Sequence, residues 1–478
     1  MRVASFRTLA SAALLAGVLL PFAVSAQTLR TQCPSSTPLH PRPGAGKGAI
    51  KCQEIAGGDG FATMGDGTQT YLFGFGPLSG RDLIDKGLPG TQTAADFLKP
   101  MYAPNGTVLN PNAAAQSPQA KMNLGVLSAQ QPAPLMAIDE DDEFFLTLSN
   151  VGMIMRPDLF EQHTVHFHGY PNASSFFDGV PDASVAINIH GSFTYYYTAP
   201  DAGTYFWHCH ITPPEHLQMG MVGQLFVRPR QNRVTSGDLG KALLAANKVA
   251  AVDPQASGKS CSDILCTGQT PLPAGADPTT GATGVLGKPG LQYAYNDGDG
   301  STRYDVEYPL QLMGFDPNFH YVGMTFNPEA FADMKDKYFM ISGRSYPDTI
   351  NTDKIQTLSA DGQVRTSQPV RSTITIKRGQ RALLRVSQLT ITEFHTIATL
   401  GIPMTVIAQN ARLLRDTAGN NLYYNTNSIT LGGGESADLI LDTTDVPAGT
   451  YFLYTTNLDH LSNDAENFGG QMTEIVVI

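Results

Sequence analysis

Two short stretches decide how this chain folds: His163-Thr-Val-His-Phe-His-Gly169 and Trp207-His-Cys-His210. They lie within residues 163 to 221, which contain seven of the eleven histidines and one of the five cysteines. Imidazole, thiolate and thioether donors form a soft set that suits copper, and two His, one Cys and a weak axial Met describe a blue-copper site. The sequence therefore predicts such a site at His163, Cys209, His216 and Met221.

The spacing of the other histidines indicates a second metal site behind the first. In His166-Phe-His168 and in His208-Cys-His210 two histidines lie two positions apart, which places both on one face of a β-strand. Cys209 then points to the opposite face. Its backbone becomes a short through-bond path between two metal centres.

Both stretches resemble the copper-binding motifs of the multicopper oxidase family, which includes laccases and metallo-oxidases. The resemblance implies that a type 1 copper is held by His163, Cys209, His216 and Met221. It also implies that half the ligands of an oxygen-reducing cluster of type 2 and type 3 copper are His166, His168, His208 and His210. Electrons would enter at His216, expected on a protruding loop, and pass through Cys209.

One departure from the family pattern concerns the loop between Cys209 and His216. The family usually has four residues there, whereas this chain has six, because Pro213-Pro214 lengthens the loop. The departure bears on ligand geometry and redox potential more than on copper binding. A zinc site or a cluster of structural histidines is the alternative, but a zinc site usually has four N or S ligands and gives no reason for His-Cys-His with a trailing Met.

Residues 1–26 have the pattern of a secretory signal. Arg2 and Arg7 precede an apolar run from Leu9 to Val24, and small residues end at Ala26. The run is too short for a membrane span, and no later segment qualifies, so we expect a periplasmic or extracellular protein. Removing the signal takes the formal charge from −11 to −13, which argues against a nucleic-acid partner.

Composition indicates an all-β protein. Charged residues make up 15% of the chain, Gly and Pro number 47 and 32, and β-branched and aromatic runs alternate with turn signals. With Cys209 as a ligand, four cysteines remain. Their proximity suggests two disulfides in an oxidising compartment, Cys33 with Cys52 and Cys261 with Cys266, although sequence alone leaves the pairing open.

Turn and strand signals divide the mature chain into four parts. They are an N-terminal arm (27–60), a copper-binding domain (61–229), a linker with a short helix at 241–250 (230–298) and a second domain (299–478). An insertion at 77–130 has no assignable pattern. The acidic run at 139–143 is expected to be a solvated strand entrance, with metal-ion binding as the alternative. Met153 and Met155 are expected to pack in the core rather than to bind Cu(I).

The second domain repeats the first. His163 to Gly169 matches His395-Thr-Ile-Ala-Thr-Leu-Gly401, and Ala202 to His210 matches Ala448-Gly-Thr-Tyr-Phe-Leu-Tyr-Thr-Thr456. The chain thus reads as two cupredoxin-like Greek-key β-sandwiches. The repeat loses the metal ligands, because the matching positions hold Ala398, Leu400, Tyr454, Thr455 and Thr456. His395 and His460 survive and are expected to be packed or surface histidines.

This loss leaves three possibilities for the oxygen-reducing cluster. Family members draw its histidines from two domains, whereas here one domain supplies its half and the other supplies none. Half-sites meet across a homo-oligomer, or a partner chain supplies the rest, or the remnant binds one copper or none. The resemblance extends to two-domain nitrite reductases, but their second-domain histidine would fall near Thr456, which disfavours that function.

The leading hypothesis is a secreted copper-dependent oxidoreductase that takes one electron at a time from a small phenolic or metal-ion donor. Oxygen reduction follows only where an oligomer or partner completes the cluster. The alternative is a type 1 copper electron-transfer or copper-binding subunit that serves a partner redox protein. A purely structural sandwich would leave eight well-spaced ligands unexplained.

Overall fold

The structure is a computed structural model that describes residues 29–41, 48–99, 117–170, 174–233, 292–297, 300–324, 330–416 and 420–478. The predicted signal, the helix at 241–250 and the Cys261–Cys266 pair lie outside these ranges. In the described ranges no helix is long and apolar enough to cross a membrane.

The first half of the chain forms one β-sandwich. Its strands are β1 (Ile50–Thr63), β2 (Gln69–Pro77), β3 (Gln92–Thr93), β4 (Met136–Asp139), β5 (Glu143–Gly152), β6 (His166–Phe167), β7 (Ser192–Thr198), β8 (Gly203–His208) and β9 (Val222–Arg228). Its helices are α1 (Arg81–Ile84), α2 (Ala94–Phe97), α3 (Pro118–Gly125) and α4 (Pro213–Met219). One sheet has the order β2-β1-β5-β7, with β3 beside β1, and the other has the order β4-β9-β8-β6.

The second half forms a larger sandwich. The strands of this half are β10 (Gln292–Tyr293), β11 (Arg303–Tyr304), β12 (Val306–Phe315), β13 (Tyr338–Ile341), β14 (Ile355–Leu358), β15 (Val364–Gln368), β16 (Ile374–Ile376), β17 (Arg381–Gln388), β18 (His395–Leu400), β19 (Met404–Gln409), β20 (Arg412–Leu413), β21 (Tyr424–Thr426), β22 (Ser428–Leu431), β23 (Ser436–Asp442), β24 (Gly449–Thr455) and β25 (Met472–Val477). Of these, β10 with β11 and β14 with β15 form separate two-stranded sheets. Helix α5 spans Pro317–Met324.

The two sandwiches share one topology. The order β13-β12-β17-β23 repeats β2-β1-β5-β7, and β16-β25-β24-β18 repeats β4-β9-β8-β6. The parallel pairs recur as well, since β1 runs parallel to β5 as β12 does to β17. Ala398 faces Tyr454 across β18 and β24 in the same way as His166 faces His208 across β6 and β8. The predicted fold class and internal repeat are confirmed.

The predicted start of the first domain at Phe61 is wrong, because β1 begins at Ile50. The segment from 57 to 60 contains three glycines, which hid the strand from pattern analysis. At Gly57 the reason is close packing: a Cβ there would lie 2.5 Å from the Cδ2 atom of His163. A bare backbone at this position lets the imidazole approach the sheet.

The N-terminal arm is tied to β1 and β5. The Cys33–Cys52 disulfide is confirmed, and Nδ1 of His40 lies 2.6 Å from a Glu143 carboxylate oxygen. The expectation that the acidic run is solvated is wrong, since Glu140, Asp142 and Glu143 are buried. Backbone N–H groups and polar side chains satisfy their oxygens, so these carboxylates anchor neighbouring loops. Met153 lies in the core, as predicted.

A buried ion network joins the two sandwiches. The guanidinium groups of Arg228 and Arg385 each donate from Nε to Glu307 over 3.0 Å, and all three side chains are buried. Beside them the hydroxyl of Thr204 donates to Asp438 over 2.6 Å. Charges withdrawn from water are tolerated when each has hydrogen-bonded partners of opposite sign. The network fixes β8 and β9 against β17 and β23.

Candidate metal centre

Three side chains converge inside the first sandwich, close to one end of β8. His163 precedes β6 and is held by a β-bridge to Ile187, Cys209 directly follows β8, and His216 lies on α4. One ligand atom from each of the three lies within 4.8 Å of the others. All three residues have 0% relative exposure. The chain therefore brings two imidazoles and a thiol together in a dry pocket.

The polar atoms of this pocket are suited to a metal ion. Nδ1 of His216 lies 3.2 Å from Sγ of Cys209, and neither ring nitrogen of His163 has a hydrogen-bond partner among the described residues. Buried imidazole nitrogens are normally paired, so orphaned ones indicate an absent ligand. Met221 is buried next to them, and its carbonyl accepts the N–H of Cys209 over 3.1 Å. An S, two N and a neighbouring thioether are the donors of a blue-copper site.

Electrostatics favour the thiolate. Burial raises the pKa of Cys209, but the neighbouring His216 and His163 lower it more, and the pKa ends well below its usual value. Burial lowers the pKa of His216, whereas Cys209 and Glu161 raise it to a net value of about 9. Both shifts favour the thiolate form of Cys209 and the protonated form of His216. The thiolate is the form that binds metals.

The family resemblance implied that His216 lies on a protruding loop, but the structure places it, buried, on α4. The two prolines occupy the first turn of α4, where Pro fits well, and the helix turns the imidazole inward. The six intervening residues are thus accommodated by a helical turn. Nε2 of His216 lies 3.4 Å from a carboxylate oxygen of Glu161, whose side chain is 24% exposed. Glu161 therefore lies between the buried imidazole and the solvent.

A second histidine cluster lies on the other side of Cys209. Ligand atoms of His166, His168 and His208 lie within 4.8 Å of one another, and the ring of His210 is 4.9 Å from that of His166. The Nε2 atoms of His168 and His208 are 3.0 Å apart. Two facing imidazole nitrogens at this distance can share a proton or a metal ion. Burial lowers the pKa of His208 to about 3 and of His168 to about 4, which keeps both rings neutral.

Two family models, both described as multicopper oxidase, match residues 110–232 and 330–475, which together make up more than half of the chain. The chain belongs to the multicopper oxidase family. The two matches fall on the two sandwiches, so the family assignment covers both copies of the repeat.

Among curated relatives, multicopper oxidase MCE from Talaromyces pinophilus is 32% identical over 108 residues, or 22% of this chain and 16% of that protein. Laccase abr2 from Aspergillus fumigatus is 31% identical over 109 residues, or 22% and 17%. The match thus spans about a sixth of these relatives. The blue copper oxidase from Nitrosomonas europaea has a similar fold, with a TM-score of 0.52 and 18% identity over 90% of this chain and 86% of that one.

In this multicopper oxidase the second sandwich forms part of the wall of the histidine cluster. A Cβ added at Gly434 would lie 2.6 Å from Nδ1 of His168, so the 432–434 turn touches the imidazole through bare backbone. At the strand positions that match His166 and His208, the second sandwich has Ala398 and Tyr454. Within the part of the chain that the structure describes, the group of ligand atoms contains no residue of the second sandwich.

Two contributors to the site were missed at the sequence level. The backbone N–H of Thr164 donates to Cys209 Sγ over 3.4 Å, and its hydroxyl accepts the N–H of His210 over 2.9 Å. Glu161 pairs with His216. No sequence pattern marks Thr164, because its role depends on the fold. A sequence pattern does mark Glu161, since Glu-x-His occurs both at 161–163 and at 393–395.

Proposed function

We propose that this chain is a copper-dependent oxidoreductase that oxidises a small phenolic or metal-ion donor one electron at a time. The observation that carries the proposal is the buried convergence of His163, Cys209 and His216, with both nitrogens of His163 unpaired among the described residues. These residues and Met221 would hold a type 1 copper. When bound, copper would supply reversible one-electron exchange, which none of these side chains provides alone.

Cys209 and its neighbours supply the connection between the two metal-binding groups. The residue is covalently joined to His208 on one side and His210 on the other, and Nδ1 of His208 lies 2.6 Å from the Cys209 carbonyl oxygen. Thr164 links the same two groups through hydrogen bonds to Cys209 Sγ and from the His210 N–H. Hydrogen bonds to a metal-binding sulfur tune its redox potential. These contacts hold the path in one arrangement.

The donor side of the proposed site is the surface around Glu161. Its chain neighbour Phe160 is 82% exposed. An aromatic donor can pack on this exposed ring, while the Glu161 carboxylate accepts the hydrogen of a phenolic hydroxyl. A cationic metal-ion donor would be attracted by the same carboxylate. Glu161 would hold either donor next to the imidazole of His216.

Oxygen reduction is proposed only for an assembled form. His166, His168, His208 and His210 are half the ligands expected for a trinuclear cluster, and a homo-oligomer or a partner chain would supply the rest. The second candidate function is a type 1 copper electron-transfer or copper-binding subunit without oxidase turnover. The substitution of Ala398 and Tyr454 at matching positions favours this candidate.

The deciding experiment is copper content per chain together with an electron paramagnetic resonance spectrum on the same sample. About four copper ions per chain, with an EPR-silent pair and oxygen consumption, would support the oxidase, and about one with a type 1 signal would support the electron-transfer subunit. Cys209→Ser should abolish the blue band near ~600 nm. A full band in that variant would refute the ligand assignment.

A further inference from the structure

The second sandwich contains a position equivalent to the type 1 site of the first. Because Ala398 faces Tyr454 as His166 faces His208, the next residue of β24, Thr455, takes the place of Cys209. The N–H of Thr455 donates to the carbonyl of Gln471 over 2.9 Å, as that of Cys209 does to Met221 over 3.1 Å. Gln471 therefore takes the place of Met221.

The two surviving histidines form a pair like that of the first sandwich. The rings of His395 and His460 are 5.0 Å apart at 51°, and those of His163 and His216 are 5.5 Å apart at 60°. Both His395 and His460 are buried. Of the two expectations for these residues, packed or surface histidines, the structure shows packed ones, but packing does not account for the geometry they share with the first pair.

A carboxylate lies beside Nε2 of the second imidazole in both sandwiches. Nε2 of His460 lies 3.0 Å from a carboxylate oxygen of Glu393, and Nε2 of His216 lies 3.4 Å from one of Glu161. Each glutamate lies two residues before the other histidine of its pair. Nε2 of His460 also lies 2.9 Å from the side-chain amide of Asn457, so Nε2 is fully engaged and Nδ1 is the ring nitrogen left for another partner. A carboxylate that fixes the histidine tautomer is the usual support of a metal ligand.

Several buried donor atoms of this pair point to an absent ligand. Nδ1 of His460, Nε2 of His395 and Oε1 of Gln471 have no hydrogen-bond partner among the described residues. The amide nitrogen of Gln471 lies 2.8 Å from Nδ1 of His395 and donates to the Met340 carbonyl over 3.2 Å, which leaves the amide oxygen as the atom without a partner among the described residues. Orphaned polar atoms are rare in a buried core, and here three occur on adjacent side chains.

One histidine of the pair lies at a cavity. His460 and Glu393 line a space of about 640 Å³, whose wall holds more carboxylates than ammonium groups: Asp336, Glu393, Asp459 and Asp464 against Lys335 and Lys337. A net negative wall attracts cations, and imidazole nitrogens with an amide oxygen suit divalent ions of the late first-row transition series.

We propose that the second sandwich binds one divalent transition-metal ion, Zn²⁺ or Cu²⁺, through His395, His460 and the amide oxygen of Gln471. Thr455 replaces the thiolate of the first site, so a bound Cu²⁺ ion here has no thiolate charge-transfer band. The site is separate from the proposed electron path. Its occupancy does not depend on whether the first sandwich turns over a donor.

The test counts metal in the full-length mature chain after dialysis of the metal-free protein against Zn²⁺ alone. In a Cys209→Ser background, His460→Gln and His395→Gln should each lower the bound zinc by about one ion per chain. The exposed His190→Gln serves as the control and should bind as much as the parent. Equal zinc in all four proteins would overturn the proposal.

A second variant keeps the test decisive if the histidine variants fail to fold. Thr455→Cys in the Cys209→Ser background installs a thiolate at the equivalent position. On addition of Cu²⁺ it should gain a blue band near ~600 nm that the parent lacks. Because its first site has no thiolate, the band can arise only from the second sandwich. A folded, colourless Thr455→Cys variant would contradict the assigned position.

Discussion

Glu161 Oε2 lies 3.4 Å from Nε2 of His216 and separates this buried imidazole from solvent. Glu161→Gln keeps the shape and removes the charge. We expect kcat/KM for phenolic or metal-ion donors to fall by about tenfold, equal to about 1.4 kcal/mol, while the blue band persists. Steady-state kinetics and absorbance on one sample measure both. The control is Asp182→Asn, an equal charge change at an exposed position, which should leave kcat/KM unchanged. An unchanged kcat/KM in Glu161→Gln would mean that the carboxylate takes no part in donor binding.

Gly434→Ala should disturb the histidine cluster from the second sandwich. Gly434 has φ of +85°, and the added Cβ would meet His168 at 2.6 Å. Gly362→Ala is a matched control, because φ is +77° and nothing lies within 4 Å. Both variants carry backbone strain, on the order of 1 kcal/mol, and Gly434→Ala should lose a further ~1–3 kcal/mol from the steric overlap. Denaturant unfolding measures the free energy of unfolding of both variants. Equal losses would mean that the turn moves away from His168 without a steric cost.

Glu307→Gln should destabilise the junction between the sandwiches. The change leaves the buried guanidinium groups of Arg228 and Arg385 without their shared carboxylate. Removing one partner from a buried ion network costs about 3–5 kcal/mol. Asp361→Asn breaks a pair with Arg365 that is largely solvated and should change the unfolding free energy by less than about 1 kcal/mol. Chemical denaturation of both variants measures their unfolding free energies. Similar losses of unfolding free energy in the two variants would contradict the proposed role of Glu307.

The copper-free protein should lose stability as the pH falls from 6.5 towards 4. The pKa of His208 is about 3 in the folded chain and the ordinary value is 6.5, so in this window the unfolded chain binds more protons. Each such group lowers the unfolding free energy by at most about 1.4 kcal/mol per pH unit. Asp142 and Asp336, whose pKa values burial raises to about 6, act in the opposite direction.

The contribution of His208 to this acid sensitivity is measured by comparing two variants with the wild type. His208→Gln should flatten the fall in thermal midpoint between pH 6.5 and 4.5, whereas the exposed His190→Gln should follow the wild type. A slope in His208→Gln as steep as that of the wild type would assign the acid sensitivity to other groups.

The sequence predicted those features that depend on spacing. Alternating histidines around Cys209 predicted two faces of one strand, and the His163 and His395 motifs predicted a duplicated sandwich; topology and register confirm the fold. Periodicity could not find β1, because its glycines serve close packing rather than alternation: Gly57 packs against His163, Gly58 against Val151 and Gly60 against Ala129. Local pattern predicts a strand only where side chains, not backbone, determine its contacts.

Features that depend on long-range packing were missed or wrong. The family resemblance placed His216 on a protruding loop, yet the two prolines before it begin a helix and its ring is buried. The acidic run at 139–143 looked solvated, but its partners come from the arm and from residues up to Asn296. The hydrogen bonds of these carboxylates come from groups distant in sequence, so a local stretch of sequence does not reveal them.

The buried ion network between the sandwiches also has a mechanical consequence. With Glu307 held by two arginines from different sheets, the halves are fixed to each other and a hinge between them is disfavoured. A donor or a second chain would therefore meet a preformed surface and dock as a rigid body. Little of the association energy would be lost to rearrangement, and the distances along the Cys209 path would be the same before and after encounter.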